Sequence, residues 1–221
     1  MIMHQRGDQP DLTPEEQLAE DWRLFQAVEA GTSNYLCRTW ETARPVVVVG
    51  RNGSVAEQVI ESACLDDGVP VVRRFSGGGT VVLGQGCLNY TVVLPIAARP
   101  EFADVAASFR ILLDDVAAAL GIAGVSVSGG SDLALEGRKV SGNAQRRGRR
   151  ALIHHGTLLY GFDPRVATRY LMEPARRPAY RAARSHDEFM GNIPLSAGAI
   201  RSRLETRWRA YEAVAVRPGQ A

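Results

Sequence analysis

Arg73-Arg74-Phe75-Ser76-Gly77-Gly78-Gly79-Thr80-Val81-Val82 (RRFSGGGTVV) separates two segments that are rich in valine. Three successive glycines let the backbone turn sharply and let a ligand approach the main-chain amides closely. Consecutive N–H groups form an anion-binding concavity, and the guanidinium of Arg74 adds donors suited to phosphate or carboxylate. Neither GxxxxGK[ST] nor GxGxxG is present. The stretch predicts an anion-binding turn between two strands, although a plain glycine-rich connection would have the same composition.

Hydrophobic periodicity predicts strands and helices on both sides of this turn. Strands are predicted at Arg44–Arg51, Val69–Arg74, Thr80–Leu83, Leu88–Leu94, Val125–Ser128, Asp132–Leu135 and Leu152–Tyr160. Helices are predicted at Thr13–Ala30, Ser54–Gly68, Phe102–Leu120, Pro164–Leu171 and Ser196–Val216. The polar, basic stretch Gly137–Arg150 is expected to be a loop or an exposed hairpin, and Glu173–Ser185 to be irregular. This order favours an α+β domain with one large mixed, mostly antiparallel sheet flanked by helices.

Length and composition set limits on the class of protein. The chain has 221 residues, of which 45% are hydrophobic, which suits a single globular domain over residues 1–221 with a core at about 13–195. No apolar run approaches the roughly 20 residues that a membrane-spanning helix needs. Met1–Asp11 contains no apolar signal-peptide core, so we expect a cytoplasmic protein. Three widely spaced cysteines predict neither a disulfide framework nor a zinc site.

The basic residues are distributed unevenly in type and in position. Of 26 basic residues, Lys139 is the only lysine. Lysine is a compact point charge and arginine a planar fork, so the two are not interchangeable in a tight polar pocket. Lys139 therefore has a raised chance of a functional role, although a solvated turn remains open. The basic stretch between Arg138 and Arg184 suits an anionic partner, such as a nucleotide or an acidic protein.

Two further motifs contain polar side chains that could take part in catalysis or binding. Asp132 precedes Lys139 by one predicted strand, and its carboxylate could orient or neutralise the ammonium if the chain brings the two together. His154 and His155 are adjacent in a predicted strand, so their side chains point to opposite faces. One histidine is expected to line a pocket and the other to pack or be solvated, which disfavours a zinc pair.

Three stretches together resemble the lipoate–protein ligase A family of the biotin/lipoate ligase superfamily. They are RRFSGGGTVVLGQGCLNY (73–90), SDLALEGRKVSGNAQ (131–145) and HHGTLLYGFD (154–163), and the resemblance extends to VVVVGRNGSVAEQV (46–59) and YRAARSHDEFMGNIPL (180–195). It covers about residues 45–195. The family implies a catalytic domain on a large mixed sheet with flanking helices. It also implies that lipoate, or a similar medium-chain acid, reacts with ATP to form an acyl-adenylate, from which the acyl group passes to a lysine of an acceptor lipoyl domain.

The resemblance assigns roles to individual residues. Lys139 falls on the invariant pocket lysine, taken here as the catalytic residue, and Arg74 on the nucleotide-contacting arginine. The residues expected to bind substrate or ATP are Arg74, Ser76, Gly77, Gly78, Gly79, Thr80, Val81, Val82, Asn89, Asp132, Ser141, Gly142, Ala144, His155, Gly156 and Thr157. Magnesium is expected to accompany ATP without a dedicated protein site. The expected partner is a protein that carries a lipoyl domain, whereas a membrane or nucleic acid is not expected.

Two departures from the family pattern leave alternatives open. Gly84-Gln85 stands where many members carry His-Asp, which affects details of nucleotide or metal contact. About 25 residues follow Pro194, so we expect one helix at about 196–216 and no C-terminal accessory domain, whose role a separate chain could take. One alternative is an octanoyl or lipoyl transferase that needs no ATP, but Val125–Lys139 lacks the cysteine such enzymes use. A non-catalytic acyl-nucleotide-binding protein is the other alternative.

Overall fold

A computed structural model describes residues 12–215 of the chain. This part contains nine strands and seven α-helices. The strands are β1 (Leu36–Trp40), β2 (Val46–Val49), β3 (Val71–Arg73), β4 (Val81–Leu83), β5 (Cys87–Pro95), β6 (Ser126–Ser128), β7 (Asp132–Leu135), β8 (Arg138–Arg147) and β9 (Ala151–Leu159). The helices are α1 (Pro14–Glu29), α2 (Val55–Gln58), α3 (Glu61–Asp66), α4 (Val105–Leu120), α5 (Arg165–Tyr170), α6 (His186–Phe189) and α7 (Ala197–Ala215). The predictions made for Met1–Asp11 and for Val216 lie outside these described residues.

The strands are divided between two sheets. Six of them pair in the order β1-β5-β9-β8-β7-β6, and every neighbouring pair is antiparallel. The other three have the order β3-β2-β4, in which β2 pairs with β3 in parallel and with β4 antiparallel. The α+β prediction is confirmed, and the mixture of strand directions is concentrated in the smaller sheet.

Alternating side chains of the large sheet belong to different parts of the core. On one face Val92 and Leu152 join a cluster formed with α4 and α7, which includes Leu113 and Trp208. On the other face, the next residues along β5 and β9 pack against α1, whose Phe25 is buried there. This two-residue periodicity is what a sheet covered on both faces requires. A third cluster fills the space between the two sheets, and it includes the four valines of β2.

The largest correction to the sequence prediction concerns the stretch expected to be a loop. Residues 138–147 form β8, which pairs with β7 on one side and β9 on the other. Only Val140, Ser141 and Ala144 of this strand are buried, and most of the others are polar and partly accessible. Because Lys139, Gly142, Asn143 and Ala144 of β8 line a cavity, the strand lacks the apolar alternation that identifies a half-buried strand.

Two further differences also arise from contacts distant in sequence. Strand β1 was not predicted, and it forms the edge of the large sheet through its register with β5. The helix predicted over Ser54–Gly68 is two short helices, α2 and α3. They are separated at Val59, which forms an isolated bridge with Leu171. The backbone N–H of Ile60 donates to Tyr170 O at 2.8 Å, a bond that a continuous helix would not allow.

Helix termini follow the local sequence more closely. The Thr13 hydroxyl accepts from the backbone of Glu16, whose carboxylate accepts in turn from the Thr13 backbone, so the predicted N-terminus of α1 is a capping box. Gly121 ends α4 in the left-handed conformation, with φ 58°. Within residues 12–215, no helix has both the length and the apolar character needed to cross a bilayer.

Replacement of Leu113 by alanine tests the packing of α4 on the large sheet. Leu113 is completely buried, so the Leu113→Ala variant should lose roughly 2–5 kcal/mol of unfolding free energy through lost burial and a residual cavity. Leu65 on α3 is 83% exposed, and Leu65→Ala should change it by less than about 0.5 kcal/mol. Urea unfolding of both variants measures the difference. Equal losses would contradict this description of the core.

Candidate active site

The sole lysine lies beside the buried carboxylate that precedes it by one strand. The register of β7 on β8 places Asp132 opposite Gly142, and an irregularity between Leu133 and Ala134 shifts the pairing so that Ala134 lies opposite Lys139. The Lys139 Nζ is 2.8 Å from Asp132 Oδ1. The sequence predicted a contact between Asp132 and Lys139 only if the chain brought the two together, and the structure shows this contact.

Tyr180, from the irregular and arginine-rich segment Glu173–Ser185, completes this group. The Tyr180 hydroxyl donates to Asp132 Oδ2 at 2.8 Å, so each carboxylate oxygen has its own partner. Burial, followed by the charge of Asp132, raises the pKa of Tyr180 well above its ordinary value, which keeps the hydroxyl protonated as a donor. Asp132 therefore connects β7, β8 and the irregular segment before α6.

Two glycines make room for the polar side chains of this region. A Cβ on Gly142 would lie 2.8 Å from both Cε and Nζ of Lys139. A Cβ on Gly156 would lie 1.8 Å from the Asn143 side-chain oxygen, which is too close for any substitution without movement. These glycines therefore act through the absence of a side chain rather than through backbone flexibility.

Two cavities meet at this point. The small cavity, of about 180 Å³, extends toward α1 and β1 and is lined by apolar side chains such as Leu18, Trp40 and Val48 as well as by Arg74 and His155. The large cavity, of about 530 Å³, extends toward α5 and α6. Their common lining residues are Gly79, Thr80, Val81, Asp132, Lys139, Gly142 and Thr157. The Lys139–Asp132 pair thus stands on the wall that both cavities share.

Arg74 organises the glycine-rich turn from within. Its guanidinium donates to the carbonyl oxygens of Val48, Gly77 and Gly79 and to the Ser76 hydroxyl, over 2.6–3.2 Å. Desolvation lowers the pKa of Arg74 to about 10, so it still carries its charge at neutral pH. The donors hold the turn closed while the buried charge favours an anion at the cavity wall.

The same turn is held from behind by a chain of buried polar groups. The Ser76 Oγ and His155 Nε2 are 2.6 Å apart, and His155 Nδ1 is 3.9 Å from Asp21 Oδ2 in α1. The Asp21 carboxylate is paired with the Arg38 guanidinium of β1 at 2.9 Å. The Ser76 hydroxyl therefore joins the Arg74 guanidinium, which donates to it, to the His155 ring. Positions on α1 and β1 are thereby connected to the glycine-rich turn.

Aromatic packing supports this chain. The Phe75 ring stacks on His155 with centroids 5.3 Å apart, and on its other side it contacts Trp22 at 5.2 Å. Arg146 lies over the Trp22 ring and donates to Phe75 O at 3.1 Å. Successive residues of α1, Asp21 and Trp22, therefore act on the same turn, one through charge and the other through ring contact.

The adjacent histidine faces the opposite side of the sheet, as the strand geometry predicts. His154 is fully buried between Tyr90, Gln145 and Phe109, with ring nitrogens near the Tyr90 hydroxyl and the Gln145 amide. Burial lowers the pKa of His154 to about 3, so this ring is neutral at neutral pH. It belongs to the packing under β9 and not to the lining of either cavity.

Most of the residues expected from the sequence line one cavity or both. The small cavity is lined by Arg74, Gly78, Gly79, Thr80, Val81, Asn89, Asp132, Lys139, Gly142, Ala144, His155, Gly156 and Thr157, and the large cavity adds Val82. Three do not reach either lining: Ser76 is buried against His155, Gly77 offers its carbonyl to Arg74, and Ser141 lies beneath Asn143. Gly84 and Gln85 occupy the turn between β4 and β5, outside both linings.

Several lining residues were missed from the sequence. In the small cavity these are Leu18, Asp21, Trp40, Val48, Leu83, Tyr90, Thr91, Ser131 and Asn143. In the large cavity the arginine-rich segment contributes Arg176 and Arg181, α6 contributes His186, and Met172 lies just before that segment. Asp21 did give a signal, because it occupies a helical position between the apolar residues Leu18 and Phe25, where an aliphatic side chain is the norm.

Few described side chains around the two cavities could bind a metal ion or act as a thiol nucleophile. Among residues 12–215 no three side chains of His, Cys, Asp or Glu come together as a metal cage. The three cysteines, Cys37, Cys64 and Cys87, are free, and none contributes to either cavity lining. Burial raises the pKa of the Cys87 thiol to about 12, so that side chain is a neutral packing group.

Comparison with known families identifies one that covers most of the chain. The model of the lipoyl protein ligase A/B catalytic domain matches residues 13–200. The chain belongs to this family. The resemblance noted in the sequence is therefore confirmed.

Individual relatives agree in sequence and in fold. The chain is 33% identical over 119 residues to the lipoate-protein ligase LplJ of Bacillus subtilis, covering 53% of this chain and 34% of that one. The structure of a lipoate-protein ligase A bound with ATP superposes with a TM-score of 0.75 at 19% identity, covering 91% and 81% of the two chains. That of a bi-partite lipoate protein ligase from Thermoplasma acidophilum gives 0.73 at 21%, with the same coverage.

Coverage limits what the curated relatives tell about the whole activity. The chain spans only 34–44% of the length of the first three curated relatives. At about 20% identity the solved structures establish the fold.

The buried polar groups that connect Arg38 and Asp21 to the glycine-rich turn should contribute to the stability of the fold. Asp21→Asn would leave the Arg38 guanidinium buried without its counter-ion, which should cost roughly 3 kcal/mol of unfolding free energy. Asp114→Asn removes a carboxylate from an exposed pair with Arg110 and should cost less than about 0.5 kcal/mol. Denaturant unfolding compares the two. A cost for Asp21→Asn no larger than for Asp114→Asn would show that the buried pair does not hold α1 on β1.

Proposed function

We propose that this protein activates lipoate, or a similar medium-chain acid, with ATP and transfers the acyl group to a lysine of an acceptor lipoyl domain. The observation that carries the proposal is the position of Lys139. Its ammonium stands on the wall shared by two cavities, next to a turn whose amides and buried arginine favour an anion. A reaction that joins a carboxylate to a phosphate needs a cation at the junction of an acid site and a nucleotide site.

The two cavities suit the two substrates. Leu18, Trp40 and Val48 give the small cavity an apolar wall for an acyl chain. Arg176 and Arg181 give the large cavity basic side chains for a nucleotide, and Arg181 is itself paired with Glu173 at 2.7 Å. The acid carboxylate and the α-phosphate would then meet beside Lys139. Membership of the lipoyl ligase family and the names of its relatives support lipoate as the acid.

The residues at the junction suit attack of a carboxylate on phosphorus. A carboxylate oxygen forms a bond to the α-phosphorus while the bond to the bridging oxygen of pyrophosphate breaks. Lys139 offers a point charge that can hold the carboxylate first and the acyl–phosphate oxygen afterwards. The amides near Gly79, fixed by Arg74, offer donors to the phosphate. Such groups act by positioning and by neutralising charge, because little covalent chemistry falls to the protein.

Magnesium is proposed to enter with ATP. The carboxylates on the large cavity are Glu57 and Asp132, and Asp132 is already held by Lys139 and Tyr180. This donor set fits an ion held chiefly by phosphate oxygens and water, as Mg²⁺ commonly is, rather than by a protein cage. The ion would supply charge neutralisation on the phosphates.

The acceptor is proposed to be a separate lipoyl domain. The T. acidophilum relative is described as a bi-partite ligase with its E2 lipoyl domain, which supports a lipoyl domain and a separate accessory chain as partners. We place the reaction in the cytoplasm, where ATP is available and free thiols such as those of this chain stay reduced.

One observation favours the ligase over a transferase that works without ATP. Such a transferase needs a nucleophile for the acyl group, and no cysteine lines either cavity within the described residues. This feature of the two cavities supports the choice of the ligase reaction.

Lipoate-dependent exchange of pyrophosphate into ATP tests the first step. Lys139→Ala should lower the exchange rate roughly 100-fold or more, because the charge at the junction is lost. Lys139→Arg should not restore it, since a planar fork does not fit the place of an ammonium between Asp132 and Gly142. Arg110→Ala, at an exposed position of α4, serves as the control. Exchange that persists in Lys139→Ala would remove the lysine from the mechanism.

Gly142→Ala tests the position of the ammonium without changing its charge. The new Cβ would lie 2.8 Å from Lys139 Nζ, so the side chain must move and exchange should fall by roughly 100-fold. Gly198→Ala has open space around its Cβ and should exchange normally. Thermal unfolding of both variants separates displacement of Lys139 from loss of the fold. Unchanged exchange in Gly142→Ala would mean that the observed lysine position is not required.

A further inference from the structure

His186, the first residue of α6, is a buried titratable group in the large cavity that neither step above has used. Its side chain is 11% exposed, and it lines this cavity together with Lys139. The His186 Nε2 is 3.4 Å from Met172 O and 4.0 Å from Glu173 Oε1, which suits an N–H at that nitrogen. The Nδ1 has no partner among residues 12–215, so it is available as an acceptor.

Backbone contacts fix α6 beside the lysine. The N–H of Gly191 donates to Lys139 O at 2.9 Å, and Met190 forms an isolated bridge with Lys139. The N–H of Met190 in turn donates to His186 O at 3.0 Å. His186 therefore approaches the junction of the two cavities from the side of the large cavity, as part of a segment bonded to β8.

Transfer to an acceptor lysine needs a proton acceptor at this place. A lysine side chain is an ammonium at neutral pH, with an ordinary pKa of about 10.4, and only the neutral amine has a lone pair for attack. The titratable groups on the large cavity are Glu57, Asp132, Lys139, Arg176, Arg181 and His186. The three cations cannot accept a proton. Asp132 already accepts from Lys139 and Tyr180, so Glu57 and His186 remain.

His186 is the better acceptor of the two. Glu57 is exposed on α2, whereas His186 is buried in a segment whose backbone is bonded to Lys139. Burial, and then the charge of Arg181, lowers the pKa of His186, so its ring is neutral at neutral pH. The charged groups that face the ring from the neighbouring segments are Arg181, Glu173 and Lys139. Glu173 is placed to favour the imidazolium after a proton arrives.

We propose that His186 is the general base of the transfer step, taking the proton of the acceptor lysine at Nδ1. The neutral amine then forms a C–N bond with the acyl carbon, and the C–O bond to phosphate breaks with its electron pair on the phosphate oxygen. The second amine proton passes to that oxygen as AMP leaves, and the imidazolium returns its proton to solvent. This role rests on the proposed function, because it concerns the second step of that reaction.

The test measures the two steps separately in the same protein. Pyrophosphate exchange reports adenylate formation, and single-turnover transfer from chemically made lipoyl-adenylate to an isolated lipoyl domain reports the second step. Hydroxylamine, which is already neutral at neutral pH, replaces the lysine in a third assay that needs no base. His186→Asn should slow transfer to the lipoyl domain roughly 100-fold, while exchange and the hydroxylamine reaction stay unchanged.

Matched variants show whether the effect belongs to His186. Asp187→Asn changes the next residue of α6, which is exposed, and should leave all three rates unchanged. Glu57→Gln should retain transfer, and a loss there in place of His186→Asn would overturn the proposal. Normal transfer in His186→Asn would also overturn it, and so would equal losses with lysine and hydroxylamine, since those would indicate displaced adenylate.

The pH dependence of transfer by the unmodified parent protein tests the proposal without requiring that a variant fold. Transfer to the lipoyl domain should fall as the pH drops through the lowered pKa of His186. The hydroxylamine rate, divided by the fraction of hydroxylamine that is unprotonated at each pH, should not follow that fall. Identical pH profiles for the two acceptors after this division would overturn the proposal. A parent that transfers from supplied adenylate but shows no exchange would refute activation with ATP and leave the role of His186 intact. A parent that does neither would refute both.

Discussion

The ion pair between Lys139 and Asp132 is the constraint on which the site depends. A carboxylate that is 8% exposed must be paired, because an isolated buried charge is far too costly. Asp132 meets this requirement with Lys139 on one oxygen and Tyr180 on the other. The register shift in β7 and the absence of a side chain on Gly142 are the geometric conditions for that arrangement. The cation is therefore in place before any substrate arrives.

The two faces of β9 place two adjacent histidines in different surroundings. His154 is held neutral among Tyr90 and Gln145 under the sheet, whereas His155 on the next position reaches the glycine-rich turn through Ser76. Behind this turn, Asp21 of α1 joins the same set of contacts. A helix outside the recognised motifs thus helps to set the shape of the anion-binding turn, which explains why a core-facing position of α1 carries a charge.

Local signals predicted the parts of the structure that local interactions form. The start of a helix at Thr13, the glycine-rich turn and the lone lysine were all visible in the sequence, and the order of predicted strands and helices indicated the α+β fold. Strand β8 was not predicted, since its cavity-facing side chains are polar and apolar alternation was the signal sought. The interruption of the helix at Val59 depends on Leu171, more than a hundred residues away in the chain. No pattern within either segment contains that information.

The rarity of lysine has a further chemical meaning. An acyl-adenylate is an electrophile that acylates neutral amines. Under the proposed function, a protein rich in lysine would therefore compete with its own acceptor for the acyl group. This chain has 26 basic residues but offers one ε-amine, and that group is ion-paired with Asp132. Guanidinium groups carry the remaining positive charge and are poor nucleophiles because they keep their protons. A surface of arginines can attract an acidic partner without consuming the activated acid.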